Sequence, residues 1–124
     1  MRFARSPFVV LVVEDDRDTR ELYRAALTAA GYAVVAVEDG FDALRILEQK
    51  PPAAVVLDLG LPRLRGLDVA REMAADAVLQ QVPVIVVTGE PGDLNEKDFA
   101  CVLRKPITPD RLISAVINCL HSLG

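Results

Sequence analysis

Five short apolar runs constrain this chain more than any other feature. FVVLVV (8–13), YAVVAV (32–37), AAVVL (53–57), VPVIVV (82–87) and ACVL (100–103) are rich in valine and mostly lack the polar alternation of a strand with one wet face. Such runs suit strands covered on both faces, which is the habit of a parallel sheet. The segments between them carry helical spacing. Leu22, Tyr23, Ala26, Leu27 and Ala30 follow a start near Asp16 or Asp18, and Gly31 is a ready stop. Asp39 can cap a second helix with Phe41, Leu44 and Leu47 on its apolar side, ended before Pro51-Pro52. A third is predicted over 66–76, with Leu67, Ala70 and Met73 together. The last begins at Thr108-Pro109 and lines up Leu112, Ile113, Val116, Ile117 and Leu120.

The exception lies between Thr88 and Lys105. GEPGDLNEKDF (89–99) holds Pro91, Gly92, Asp93 and Asn95, which favour turns, so the fourth helix is expected to be short or missing. Alternating strand and helix implies a doubly wound α/β domain with right-handed crossovers. Residues 1–124 form one such domain, with a core over about 7–122. Ligands of these sheets bind beyond the carboxyl ends of the strands.

Those ends collect the polar chemistry. The first run stops at Glu14, Asp15 and Asp16, the third at Asp58, the fourth at Thr88-Gly89 and the fifth at Arg104-Lys105-Pro106. Read alone, Asp58 is either a solvated strand-end aspartate or a charge with a task. Parallel strands would bring these groups to one edge. Two like charges about 5 Å apart repel by about 3 kcal/mol at an effective dielectric near 20. Clustered carboxylates therefore call for cations, here Lys105 and a hard divalent ion such as Mg²⁺. A carboxylate beside a metal, a lysine and a hydroxyl can receive a phosphoryl group.

VVEDD (12–16), LDLGLPRLRG (57–66), VVTGE (86–90) and LRKPI (103–107), in this order, resemble the receiver domain of two-component response regulators over about 7–122. The resemblance implies a flavodoxin-like sheet of order 2-1-3-4-5, an order the general rule for such folds illustrates with a chemotaxis member of this family. It also implies that Asp58 is the phosphoacceptor, charged by a sensor histidine kinase or phosphotransfer protein. Glu14 and Asp15 match the acidic pair for Mg²⁺, with Asp15 the direct ligand and Glu14 acting through water. Gly60 matches the position whose backbone carbonyl is a ligand. Thr88 matches the hydroxyl, and Lys105 the ammonium, that meet the phosphoryl oxygens, and Pro106 is expected in cis. Pro62 and Gly66 shape the intervening loop. Asp16 is read as a helix cap.

Two departures concern the read-out. Relatives often carry an aromatic residue where Val102 stands, Phe99 is placed too early to replace it, and the 88–105 segment is short. The expectation is a stand-alone phosphorylation switch for a protein target that the sequence does not name. The alternatives are a phosphorylation-independent adaptor of the same fold and a receiver piece of a hybrid kinase or larger regulator. A small aspartate-dependent phosphatase would want a second aspartate where Gly60 stands.

Composition narrows the rest. A net charge of −4 argues against a nucleic-acid surface. No apolar run nears the roughly 20 residues of a membrane span. Segment 1–10 has two arginines, but the apolar run ends at Glu14, too early for a signal peptide. Cys101 and Cys119 lack metal-ligand spacing and read as reduced thiols of a cytoplasmic protein. His121 reads as a solvated helix-end residue, and no nucleotide-binding glycine motif occurs.

Overall fold

A computed structural model describes residues 8–90 and 94–121; Pro91, Gly92 and Asp93 of the expected turn, and most of segment 1–10, lie outside it. The elements alternate as β1 (Val9–Val13), α1 (Arg17–Ala29), β2 (Ala33–Val37), α2 (Gly40–Gln49), β3 (Ala54–Asp58), α3 (Gly66–Ala74), β4 (Val84–Thr88), β5 (Cys101–Arg104) and α4 (Pro109–His121). All four strand pairings are parallel, in the order β2-β1-β3-β4-β5.

Period-two geometry explains the unbroken apolar runs. Val10, Val12, Val56, Ile85 and Val87 pack with Tyr23, Leu27, Leu112 and Val116 beneath α1 and α4. Their neighbours Leu11, Val13, Val55, Leu57 and Val86 pack with Ala43, Leu47, Val69 and Met73 beneath α2 and α3. β2 departs from the expected double burial: it has one neighbour, and Ala33 and Val35 are exposed.

Capping follows the local reading. Asp16 accepts from the Thr19 N–H at 2.9 Å, Asp39 from the Asp42 N–H at 2.9 Å and Thr108 from the Arg111 N–H at 3.2 Å. Among the described residues of the fourth crossover, the helical structure is a single 3₁₀ turn, Glu96–Asp98. A 620 Å³ groove, lined by Met73, Val82, Val84, Leu94 and Phe99 among others, opens at the amino end of β4, remote from the carboxyl-end site. A second 3₁₀ turn, Leu79–Gln81, escaped the periodicity reading because three residues carry no period.

Cys101 and Cys119 are free thiols partly buried against the α1–α4 side of the core. His121 is exposed, as expected, but its Nε2 also lies 3.3 Å from the Tyr32 hydroxyl. Among the described residues, no helix is long and apolar enough to cross a membrane.

Candidate functional site

Each strand delivers its group because the apolar run ends where the sheet does. β3 carries Asp58 as its final, buried residue. Glu14 follows β1 and is only 1% exposed, since its N–H extends the ladder to Val37 O at 3.1 Å. Thr88 closes β4, and its carbonyl accepts from the Lys105 N–H at 2.8 Å, which fixes where the lysine leaves β5. The Lys105–Pro106 peptide is cis, as the resemblance implied.

The Lys105 ammonium joins the buried carboxylates. Its Nζ lies 3.0 Å from Glu14 Oε1 and 3.4 Å from Asp58 Oδ2. Asp58 Oδ1 accepts from the Gly60 N–H at 2.9 Å, and Glu14 Oε2 from the Asp16 N–H at 3.0 Å. Asp15 is exposed beside them, and one carboxylate oxygen from each of Glu14, Asp15 and Asp58 falls within 4.8 Å of the others. The sequence-predicted groups thus converge, with Thr88 held on the adjacent strand.

Burial pushes the Glu14 carboxyl above its ordinary range, and the Asp58 charge adds to that; the Asp16 N–H and Lys105 oppose it. Burial also works against the Lys105 ammonium. The Glu14 hydrogen bond and the two carboxylate charges outweigh it and hold the lysine above its ordinary value. Three carboxylates against one ammonium leave an excess of negative charge. Hard oxygen donors at this spacing fit a divalent cation such as Mg²⁺.

Thr88 Oγ1 accepts from the Glu90 N–H at 3.1 Å, so its own proton can be donated elsewhere. Asp16 is the cap of α1, as read from the sequence.

Sequence reasoning missed two supports, Arg20 and Glu90, and named Gly66 as a loop former without the contact that requires it. Arg20 Nη1 donates to the carbonyls of Glu14 and Asp15 at 3.0 and 3.2 Å, bracing the acidic turn from one helical turn away. The Glu90 carboxylate reaches the open side of Gly60, 3.5 Å from where a Cβ would stand. Gly66 packs so closely that a Cβ would come within 2.4 Å of Asp58 O and 2.7 Å of Leu59 Cα. Backbone, unlike a flexible side chain, has no easy retreat. Gly66→Ala is expected to cost about 3 kcal/mol, the upper end for forced overpacking, measured by urea unfolding. A loss below 0.5 kcal/mol, the range of neutral surface changes, would show the loop to be slack.

The family described as "response regulator receiver domain" matches residues 10–117. The response regulator MprA of Mycobacterium sp. (strain KMS) is 42% identical over 82 residues, covering 66% of this chain and 35% of that protein. The chain therefore spans about a third of that relative's length. The polar-differentiation response regulator DivK of Brucella anthropi is 29% identical over 92% of this chain and 97% of its own. Among solved structures, the receiver domain of a sensor histidine kinase from Pseudomonas aeruginosa PAO1, with a magnesium ion coordinated in its active site cleft, has a TM-score of 0.81. It is 27% identical and covers 92% of this chain and 98% of that one.

Proposed function

This chain belongs to the response regulator receiver domain family, and from that premise we propose that Asp58 accepts a phosphoryl group from a phosphohistidine. The donor is a sensor histidine kinase or a phosphotransfer protein. A carboxylate oxygen of Asp58 attacks phosphorus, the P–N bond breaks, and an aspartyl phosphate is left. The bond's electron pair stays on the imidazole nitrogen, which takes up a proton.

The observation that carries this reading is Lys105 Nζ between the buried carboxylates of Glu14 and Asp58, with Asp15 in the same cluster. Asp15 directly, Glu14 through water, Asp58 and the Gly60 carbonyl would hold Mg²⁺. When bound, that ion supplies charge stabilisation for the phosphoryl oxygens. Lys105 would meet one equatorial oxygen, and the Thr88 hydroxyl would donate to another. The attacking oxygen starts beside a cation, so the incoming negative charge enters a partly compensated site.

Receiver domains are signalling domains, and we assign this one no turnover of a separate substrate. Phosphate at Asp58 biases the Thr88 loop and the adjoining face of β5, changing affinity for a downstream protein in the cytoplasm. A second reading, an adaptor indifferent to phosphate, is favoured by Val102 at the aromatic position and by the short 3₁₀ turn Glu96–Asp98 between β4 and β5. A many-fold change in partner affinity on phosphorylation rejects it.

Calorimetric titration with Mg²⁺ tests the metal set. Asp15→Ala removes an exposed ligand without opening the core. It is expected to weaken Mg²⁺ binding by roughly 100-fold, at the upper end of what even a ligand's supporting partner costs. Unchanged affinity would remove Asp15 from the site.

A further inference from the structure

Arg63 stands in the loop between Asp58 and Gly66 with a left-handed backbone, φ 61°. Side chains with a Cβ seldom adopt that conformation, so something outside the residue must select it. The guanidinium pairs with the buried carboxylate of Asp39 and lies over the Phe41 ring, 5.5 Å from its centroid. Asp39 is itself fixed, because it caps α2. The hydrogen bond from the Asp42 N–H, and then that from Arg63, hold its carboxyl below the usual range. α2 presses on the same loop through Gly40, where a Cβ would come within 2.6 Å of Leu64 O.

Besides this backbone approach, the loop is held at three points. The Gly60 N–H on Asp58 secures its start, Arg63 on Asp39 its middle and Gly66 against Asp58 its end. The first and last are short-range. The middle one spans 24 residues and ties the loop to another element.

Resting on the phosphoacceptor reading above, we propose that the Arg63–Asp39 pair is a positioning device. It keeps residues 59–65 in one conformation and so pre-organises Asp58 and the Gly60 carbonyl for Mg²⁺. Arg63 is a positioning residue, since its guanidinium meets Asp39 and Phe41 and acts on Asp58 through the loop. Its side chain is 63% exposed, so the pair adds little to the core and its effect is concentrated in the loop.

Two variants separate this from a plain structural role. Asp39→Asn keeps the helix cap, since asparagine caps as well as aspartate, but deletes the charge that Arg63 meets. Arg63→Gly removes the guanidinium while making the left-handed backbone easy. If Arg63 were merely a strained filler, the glycine variant would bind Mg²⁺ as well as the parent. Amide hydrogen exchange of 59–65 in metal-free protein and Mg²⁺ titration are the readouts. Each variant is expected to exchange about tenfold faster in the loop and bind Mg²⁺ about tenfold more weakly, and the double variant no worse, as for partners in one interaction. Wild-type exchange and affinity in both variants, or effects that add in the double variant, overturn the proposal. A parent chain that binds no Mg²⁺ would sink the phosphoacceptor reading instead, and metal-free exchange would still decide whether the pair holds the loop.

Discussion

Asp58→Asn is expected to end phosphoryl uptake while leaving the fold intact. Incubated with a small acyl phosphate and Mg²⁺, the parent chain should gain the mass of one phosphoryl group, lost again on mild alkaline treatment. The asparagine variant should stay at background. An amide has no ionised oxygen to attack with, yet it fills the same volume and its Oδ1 can still accept from the Gly60 N–H, now 2.9 Å away. Removing one negative charge also relieves the Glu14–Asp58 repulsion that burial sharpens. Metal-free stability should therefore hold or rise, unlike that of a variant that merely damages the core. Equal labelling in parent and variant would remove Asp58 from its role, and peptide mass spectrometry would identify the residue that takes it.

The second large effect is on stability. Lys105→Met keeps the aliphatic stem and deletes the ammonium, leaving Glu14 and Asp58 buried with no cation between them. Breaking a buried pair by removing one partner is costly; with Lys105 at 29% exposure, about 3 kcal/mol is expected, the low end of that range. The pH dependence carries the diagnosis. In the parent, Lys105 is held above its ordinary 10.5, so its contribution is complete below that pH and is lost as pH rises through the folded value. Glu14 acts in the same direction, in a lower pH window. It binds its proton more tightly in the fold than at its ordinary 4.5, so its contribution falls as pH rises from 4.5 through the folded value. Without Lys105 the Glu14 carboxyl moves higher still. The deficit of the variant should shrink as pH is lowered from 7 toward 5, and Mg²⁺ should restore about 2.7 kcal/mol at 100 times its dissociation constant. Urea unfolding at both pH values, with and without Mg²⁺, measures this. A deficit insensitive to both would mean that Lys105 serves packing alone.

Much of this site was legible in the residues because its parts are local. Each run ends in its polar group, and each cap, Asp16, Asp39 and Thr108, bonds an N–H three positions on. The short fourth crossover was legible for the same reason, since turn formers crowd 89–99, where the described residues hold the 3₁₀ turn Glu96–Asp98. The sheet order came with the family resemblance; alternating strands and helices alone allow several orders.

The meeting of Lys105 with Glu14 and Asp58 was expected from the sequence; what only the tertiary structure decided is the individual contacts that distant groups make. Lys105 reaches Glu14 across 91 positions and Asp58 across 47. Arg63 finds Asp39 across 24, and the need for glycine at Gly66 exists only because α3 starts against the Asp58 backbone. β2 looked as buried as its neighbours until the sheet put it at an edge. The division has a physical cause. Periodicity and capping are interactions within a few residues, printed in the order of the chain. Convergence and close approach depend on how layers pack, and no window of neighbouring residues contains that information.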